Sequence, residues 1–168
     1  LLRTPNGQME LRPFQAVALS EVYACKGAVF AGRVGIGKSL FSYLLPHCLE
    51  SKRPLLVIPA KLIDKTMREI RRLSVHWVIP NFIRVISYEL LGRAQSADTL
   101  TNYQPDLIML DEGHRAKNPK AAVTRRLMRY LASTPSPLEP SEIVPEPILI
   151  NGIWTIPPPC TLVVMSGT

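Results

Sequence analysis

Residues 32–39 read Gly32-Arg33-Val34-Gly35-Ile36-Gly37-Lys38-Ser39, two glycines five positions apart followed at once by a lysine and a hydroxyl. A loop of that spacing works between a strand and a helix. The glycines let successive backbone N–H groups turn inward around an anion, and the helix N-terminus adds its dipole. The loop therefore commits the chain around it to strand–helix units and a parallel sheet. Its shape suits phosphate: the lysine reaches the β/γ oxygens of a nucleoside triphosphate, and Ser39 offers an oxygen to Mg²⁺.

A second segment narrows the chemistry. Asp111-Glu112-Gly113-His114 closes an apolar run at 107–110, expected as a strand over 106–111. A parallel strand there delivers a metal-holding Asp111 and a water-orienting Glu112 to the same nucleotide.

Between and beyond these segments, apolar runs alternate with amphipathic stretches. The spacing predicts a helix over 13–26, with Phe14, Val17, Ala18, Glu21 and Val22 on its buried side. It predicts strands at 28–31, 55–58, 82–86 and 161–165, and helices over 38–49 and around 63–73. Pro46 is expected to kink or stop its helix. Asn118-Pro119 reads as the N-cap and first residue of a helix to about 132. His47 and His76 have no sequence partners and read as structural.

Residues 133–159 stand apart, holding eight of the chain's 16 prolines. Within them, Asn151-Gly152 between two apolar runs predicts a hairpin over 148–156 with a two-residue turn. This reads as an inserted, proline-stiffened arm with Trp154 as its anchor. It could fold onto the domain, dock on a second domain or touch a protein partner.

The chain has 168 residues, room for one core, with a net charge of +7. All 20 basic groups lie before residue 130, whereas three of the 13 acids follow it. They cluster at Lys61, Lys65, Arg68, Arg71 and Arg72, and again from Arg115 to Arg129. Several phosphates could be neutralised at once, which points to a polyanionic partner. Three well-separated cysteines argue against a disulfide framework or zinc site and favour a reducing compartment. No stretch has the length of a membrane span or the pattern of a signal peptide.

In order, these segments resemble the first RecA-like domain of superfamily 2 helicases and translocases, particularly the SNF2-like branch. Leu11-Arg12-Pro13-Phe14-Gln15 is similar to the adenine-reading Q motif, and 32–39 to motif I. Leu56-Val57-Ile58-Pro59-Ala60-Lys61 resembles motif Ia, and Ile86-Ser87-Tyr88-Glu89 the next nucleic-acid-contacting motif. Asp111-Glu112-Gly113-His114-Arg115-Ala116-Lys117-Asn118 resembles the motif II of SNF2-like enzymes, and Met165-Ser166-Gly167-Thr168 motif III.

The resemblance implies an α/β, RecA-like P-loop domain spanning 1–168. Its sheet is mostly parallel with helices on both faces, and the arm forms an insertion. It implies ATP with Mg²⁺ as cofactors, held by Arg12, Gln15, Gly32, Val34, Gly35, Ile36, Gly37, Lys38, Ser39 and Leu40. Ser39 and Asp111 would serve the metal, Lys38 and Glu112 the chemistry, and His114 the link to motif III. Pro59, Ala60, Lys61, Ser87, Tyr88 and Glu89 would face nucleic acid, duplex DNA before RNA. Ser166, Gly167 and Thr168 would couple the two sites.

In that family a second RecA-like domain supplies an arginine to the transition state. The chain is expected to break off inside motif III, before that domain, and to turn over little ATP alone. An intracellular setting, cytoplasmic, nucleoid or nuclear, is expected. Two other readings stay open: a different P-loop enzyme such as a small-molecule kinase, and a non-catalytic module that binds nucleic acid or protein.

Overall fold

The computed structural model describes residues 2–31, 37–135, 148–150, 153–155 and 158–167. In chain order these form α1 (Pro13–Cys25), β1 (Ala28–Ala31), α2 (Lys38–Cys48), β2 (Pro54–Ile58), α3 (Ile63–Leu73) and β3 (Arg84–Ser87). There follow α4 (Tyr88–Gly92), α5 (Thr99–Tyr103), β4 (Leu107–Leu110), α6 (Ala122–Ala132), β5 (Ile148–Ile150), β6 (Ile153–Thr155) and β7 (Thr161–Ser166).

Five strands pair in the order β1-β7-β4-β2-β3, all parallel. The apolar runs of β2 and β4 are buried at every position, as expected of strands covered on both faces. Alternation then builds two cores. Leu56, Ile58, Leu107 and Met109 pack with α1, α2 and α3, while Leu55, Val57, Ile108 and Leu110 pack with α4, α5 and α6. No helix among the described residues is long and apolar enough to cross a membrane.

Parallel pairing gathers the strands' C-terminal ends on one edge. Ala31 lies opposite Ser166, Ile58 opposite Ser87, and Val57 opposite Leu110. Ligands of open α/β sheets bind along that edge, and the candidate segments that follow β2, β3 and β4 or end β7 lie on it.

Four local expectations shift. On α1 the buried residues are Gln15, Ala18, Leu19 and Val22, whereas Phe14 and Val17 are 39% and 57% exposed. The helix is rotated by one residue because Gln15 turns inward to hydrogen bonds. Pro46 does not stop α2, which continues to Cys48. Strand β3 starts at Arg84 because pairing begins at Leu55↔Arg84, leaving Phe82 exposed. Asn118 does not cap α6: its side chain accepts from Lys120 N–H at 3.0 Å and its carbonyl from Ala121 N–H at 3.0 Å. Those bonds make a turn, and the helix begins at Ala122.

The hairpin forms as the Asn-Gly signal predicts. Strands β5 and β6 are antiparallel with Ile150 opposite Ile153, which leaves two connecting residues, and β5 lies beside α5. Asn151, Gly152 and Ile156 lie outside the described residues, as does the side chain of Trp154.

Candidate functional site

Residues 32–36 of the phosphate-binding segment lie outside the described residues; its last three, Gly37, Lys38 and Ser39, are placed. Gly37 has φ +88°, which an L side chain rarely adopts, and an added Cβ would collide with Gln15 Nε2. Gln15 is 5% exposed. Its Nε2 donates to the Gly37 carbonyl at 3.3 Å and its Oε1 accepts from Arg12 N–H at 2.9 Å. The amide therefore clamps the start of α1 to Gly37, the residue before α2. Lys38 and Ser39 open α2, where the helix dipole favours an anion.

One cleft of about 200 Å³ joins the two motifs, lined by Arg12, Gln15, Gly37, Ser39 and Leu40. Met9, Glu69 and Arg72 line it as well, and sequence reasoning had not singled them out for the site. Glu69 is the single acid within the basic run 65–72, a signal that could have marked it. Its carboxylate accepts from Tyr43 OH at 3.1 Å.

On the other side of the sheet edge, Asp111 N–H donates to Val57 O at 3.0 Å, carrying the β2–β4 pairing past Leu110. Tyr88 OH donates to Asp111 O at 2.8 Å, and Glu112 N–H to Asp111 Oδ1 at 3.1 Å. Burial pushes the Asp111 carboxyl up and Glu112 adds to this, while Lys38 pulls the other way. Glu112 sits in left-handed backbone, φ 55°. At Gly113 an added Cβ would strike Val164 Cγ1, so the glycine lets β7 pass close by.

The third segment closes the site. A Cβ placed on Gly167 would stand 3.1 Å from Lys38 Nζ, 3.5 Å from Glu112 Oε1 and 3.8 Å from Glu112 Oε2. The Lys38 ammonium and the Glu112 carboxylate thus both border Gly167. His114 Nδ1 lies 3.3 Å from Glu112 Oε2 and 3.4 Å from Ser166 Oγ, bridging the same two segments. Thr168 lies outside the described residues.

The donor set fits a magnesium nucleotide. Asp111 is a half-buried carboxylate whose charge a cation would stabilise, and Ser39 adds a hard oxygen at the helix start. Among the described residues no group of three or more His, Cys, Asp or Glu gathers as a metal cage. Mg²⁺ needs none, since it keeps waters and takes one or two protein ligands besides phosphate.

The six residues expected to face nucleic acid divide in two. Ala60 and Lys61 are exposed beside buried Pro59. Ser87 and Tyr88 are buried, Ser87 Oγ accepting from Leu90 N–H at 2.9 Å to cap α4. Glu89 holds Ala60 N–H with Oε2 at 2.9 Å and Arg115 Nη1 with Oε1 at 2.7 Å. Hydrogen bonds from its own backbone, Arg115 and Ala60 keep its carboxyl below the usual range. His76 is structural, its Nδ1 accepting from Gln8 N–H at 3.3 Å.

No protein-family model matches the chain. It is 29% identical to the human DNA repair and recombination protein RAD54B over 70% of its length, a stretch covering 17% of that protein. The chicken RAD54B gives the same identity and coverage. The chain thus spans about a sixth of the length of the curated relatives it matches. Among solved structures, the Sulfolobus solfataricus SWI2/SNF2 ATPase core in complex with dsDNA superposes with a TM-score of 0.65 at 16% identity. That match covers the whole of this chain and 34% of the other. With its five parallel strands the chain has the RecA-like fold of a SNF2 ATPase core, and in sequence it is similar to the DNA repair and recombination protein RAD54B.

Proposed function

We propose that the chain is the ATP-binding lobe of an ATP-dependent DNA translocase, hydrolysing ATP when joined to a second RecA-like domain. The observation that carries the proposal is that Lys38 Nζ and the Glu112 carboxylate both border Gly167. A cation for phosphate oxygens and a carboxylate for water stand one small residue apart, at the end of a helix that favours anions.

In this reading Lys38 takes the β/γ phosphates and the Arg12–Gln15 wall takes the base. Mg²⁺, held from Ser39 and Asp111, supplies charge neutralisation on the phosphates when bound. Glu112 orients the attacking water and receives its proton. His114 holds that carboxylate toward Ser166, so a shift in the third segment moves the base. The arginine such transfers want comes from the second lobe across the cleft.

DNA is favoured as the track because the relatives are DNA repair and recombination proteins and the structural neighbour was solved on dsDNA. Exposed Ala60 and Lys61 in the loop 59–61 would meet the phosphate backbone, with little sequence preference. An intracellular setting follows from such a track.

The test is Glu112→Gln in the protein carrying both lobes. ATP binding is expected to persist while duplex-stimulated turnover falls by 10² or more, the order seen for loss of a positioned acid–base group. Turnover at the wild-type rate would remove Glu112 from the role of base.

A further inference from the structure

The second basic run of the sequence is not absorbed by the nucleotide site. Helix α6 turns Arg125, Arg126 and Arg129 toward the connection between α4 and α5, where they line a cleft of about 290 Å³. Arg126 is fixed in place: its Nη1 donates to the carbonyls of Leu91 and, at 2.6 Å, of Arg93. Arg125, Arg129 and the side chain of Arg93 are exposed around it. A smaller cleft of about 100 Å³ continues past Arg126 and Arg129 to Ser133.

Among the described residues, none of these four arginines forms an ion pair. The one carboxylate on the rim of either cleft is Asp98. Four guanidinium groups gathered with no ion pair among the described residues make a field that draws polyanions. Arg126, held by two backbone acceptors, presents its remaining N–H groups already oriented, and a guanidinium fork matches phosphate oxygens. The one aromatic ring at the clefts, Tyr130, is buried with its hydroxyl on Pro105 O, so no stacking platform for bases is offered. Exposed Arg115, Lys117 and Lys120 extend the positive charge from the motif II turn to the start of α6.

We propose that this arginine cleft is a second DNA contact, taking the sugar-phosphate backbone of the duplex apart from the loop 59–61. It rests on the reading of the chain as a DNA-acting lobe. Two separated contacts on one lobe would hold the duplex in orientation as well as in place.

The test measures binding of the whole chain to a fluorescein-labelled duplex of arbitrary sequence, by anisotropy across a salt series. Arg125→Ser with Arg129→Ser should weaken binding about tenfold or more and reduce the salt slope by about 1.8, the value for two lost phosphate contacts. Arg125→Lys with Arg129→Lys should keep the slope, and melting curves should show that both pairs remain folded. Lys61→Ala should reduce the slope by about 0.9 on its own, additively with the serine pair. If Lys61→Ala lowers the slope and the serine pair does not, the cleft is no DNA contact and suits an acidic protein surface, while the DNA reading stands. If the wild-type chain shows no salt-dependent duplex binding, both readings fall.

Discussion

Glu89 and Arg115 meet at 2.7 Å, and this pair ties the loop proposed to face DNA to the turn that carries Asp111 and Glu112, the carboxylates proposed for the chemistry. One Glu89 oxygen holds Arg115, two residues after Gly113; the other holds the backbone of Ala60. An acid among phosphate-facing residues would be unfavourable if it stood alone. Here its charge is matched by a guanidinium, and its geometry sets that of its neighbours.

Both side chains of that pair are substantially exposed, so water screens the interaction. A double-mutant cycle of Glu89→Gln and Arg115→Met, read by chemical denaturation, should give a coupling of about 0.2–1 kcal/mol. A coupling of several kcal/mol would show the pair to be far more shielded than its exposure indicates.

Gly167→Ala separates catalysis from stability. The added methyl would crowd Lys38 Nζ, the far end of a flexible side chain, so the fold should lose no more than about 0.5 kcal/mol. The displaced ammonium should still cost nucleotide affinity and turnover, since a shift of about 1 Å at a reacting centre costs up to about 10²-fold. Unchanged MgATP affinity in a folded Gly167→Ala protein would contradict the placement of Lys38.

Gly113→Ala should behave in the opposite way. Its methyl meets Val164 in the packed second core, and such overpacking costs about 1–3 kcal/mol. Urea denaturation should show the loss directly.

Alkaline pH should unfold the chain early. Burial pushes the Cys160 thiol from 9.0 up to about 12 and raises Tyr43, Tyr88 and Tyr130 above the ordinary tyrosine value of 10.0. The folded state therefore holds these protons after the unfolded chain has released them, and stability falls as pH rises above about 9. Melting temperatures between pH 8 and 11 should decline. A thiol reagent at pH 8 should label exposed Cys25 first and buried Cys160 only on unfolding.

Much of the fold was legible because its signals are local. The apolar runs of β2 and β4 and the antiparallel pairing of β5 with β6 each follow from neighbouring residues. What stayed hidden depends on contacts between distant segments. Gln15 looks like a surface amide until Gly37, 22 positions away, gives it a buried partner. The rotation of α1 follows from that bond. Tyr88 was expected at a nucleic-acid face, but its hydroxyl reaches 23 residues along the chain to Asp111. Met9, Glu69 and Arg72 line the cleft beside Gly37 and Ser39 only because the amino-terminal segment and α3 converge beside α2.

The proposed magnesium nucleotide would sit between α2, the turn after β4 and the end of β7. Titration calorimetry of MgATP into the wild-type chain and its Lys38→Ala variant tests it most directly. Saturable, Mg²⁺-dependent binding that the variant loses by about tenfold or more, the scale of one charge-assisted contact, is the predicted result. Equal affinity in the two proteins, or no binding to the wild-type chain, would contradict it.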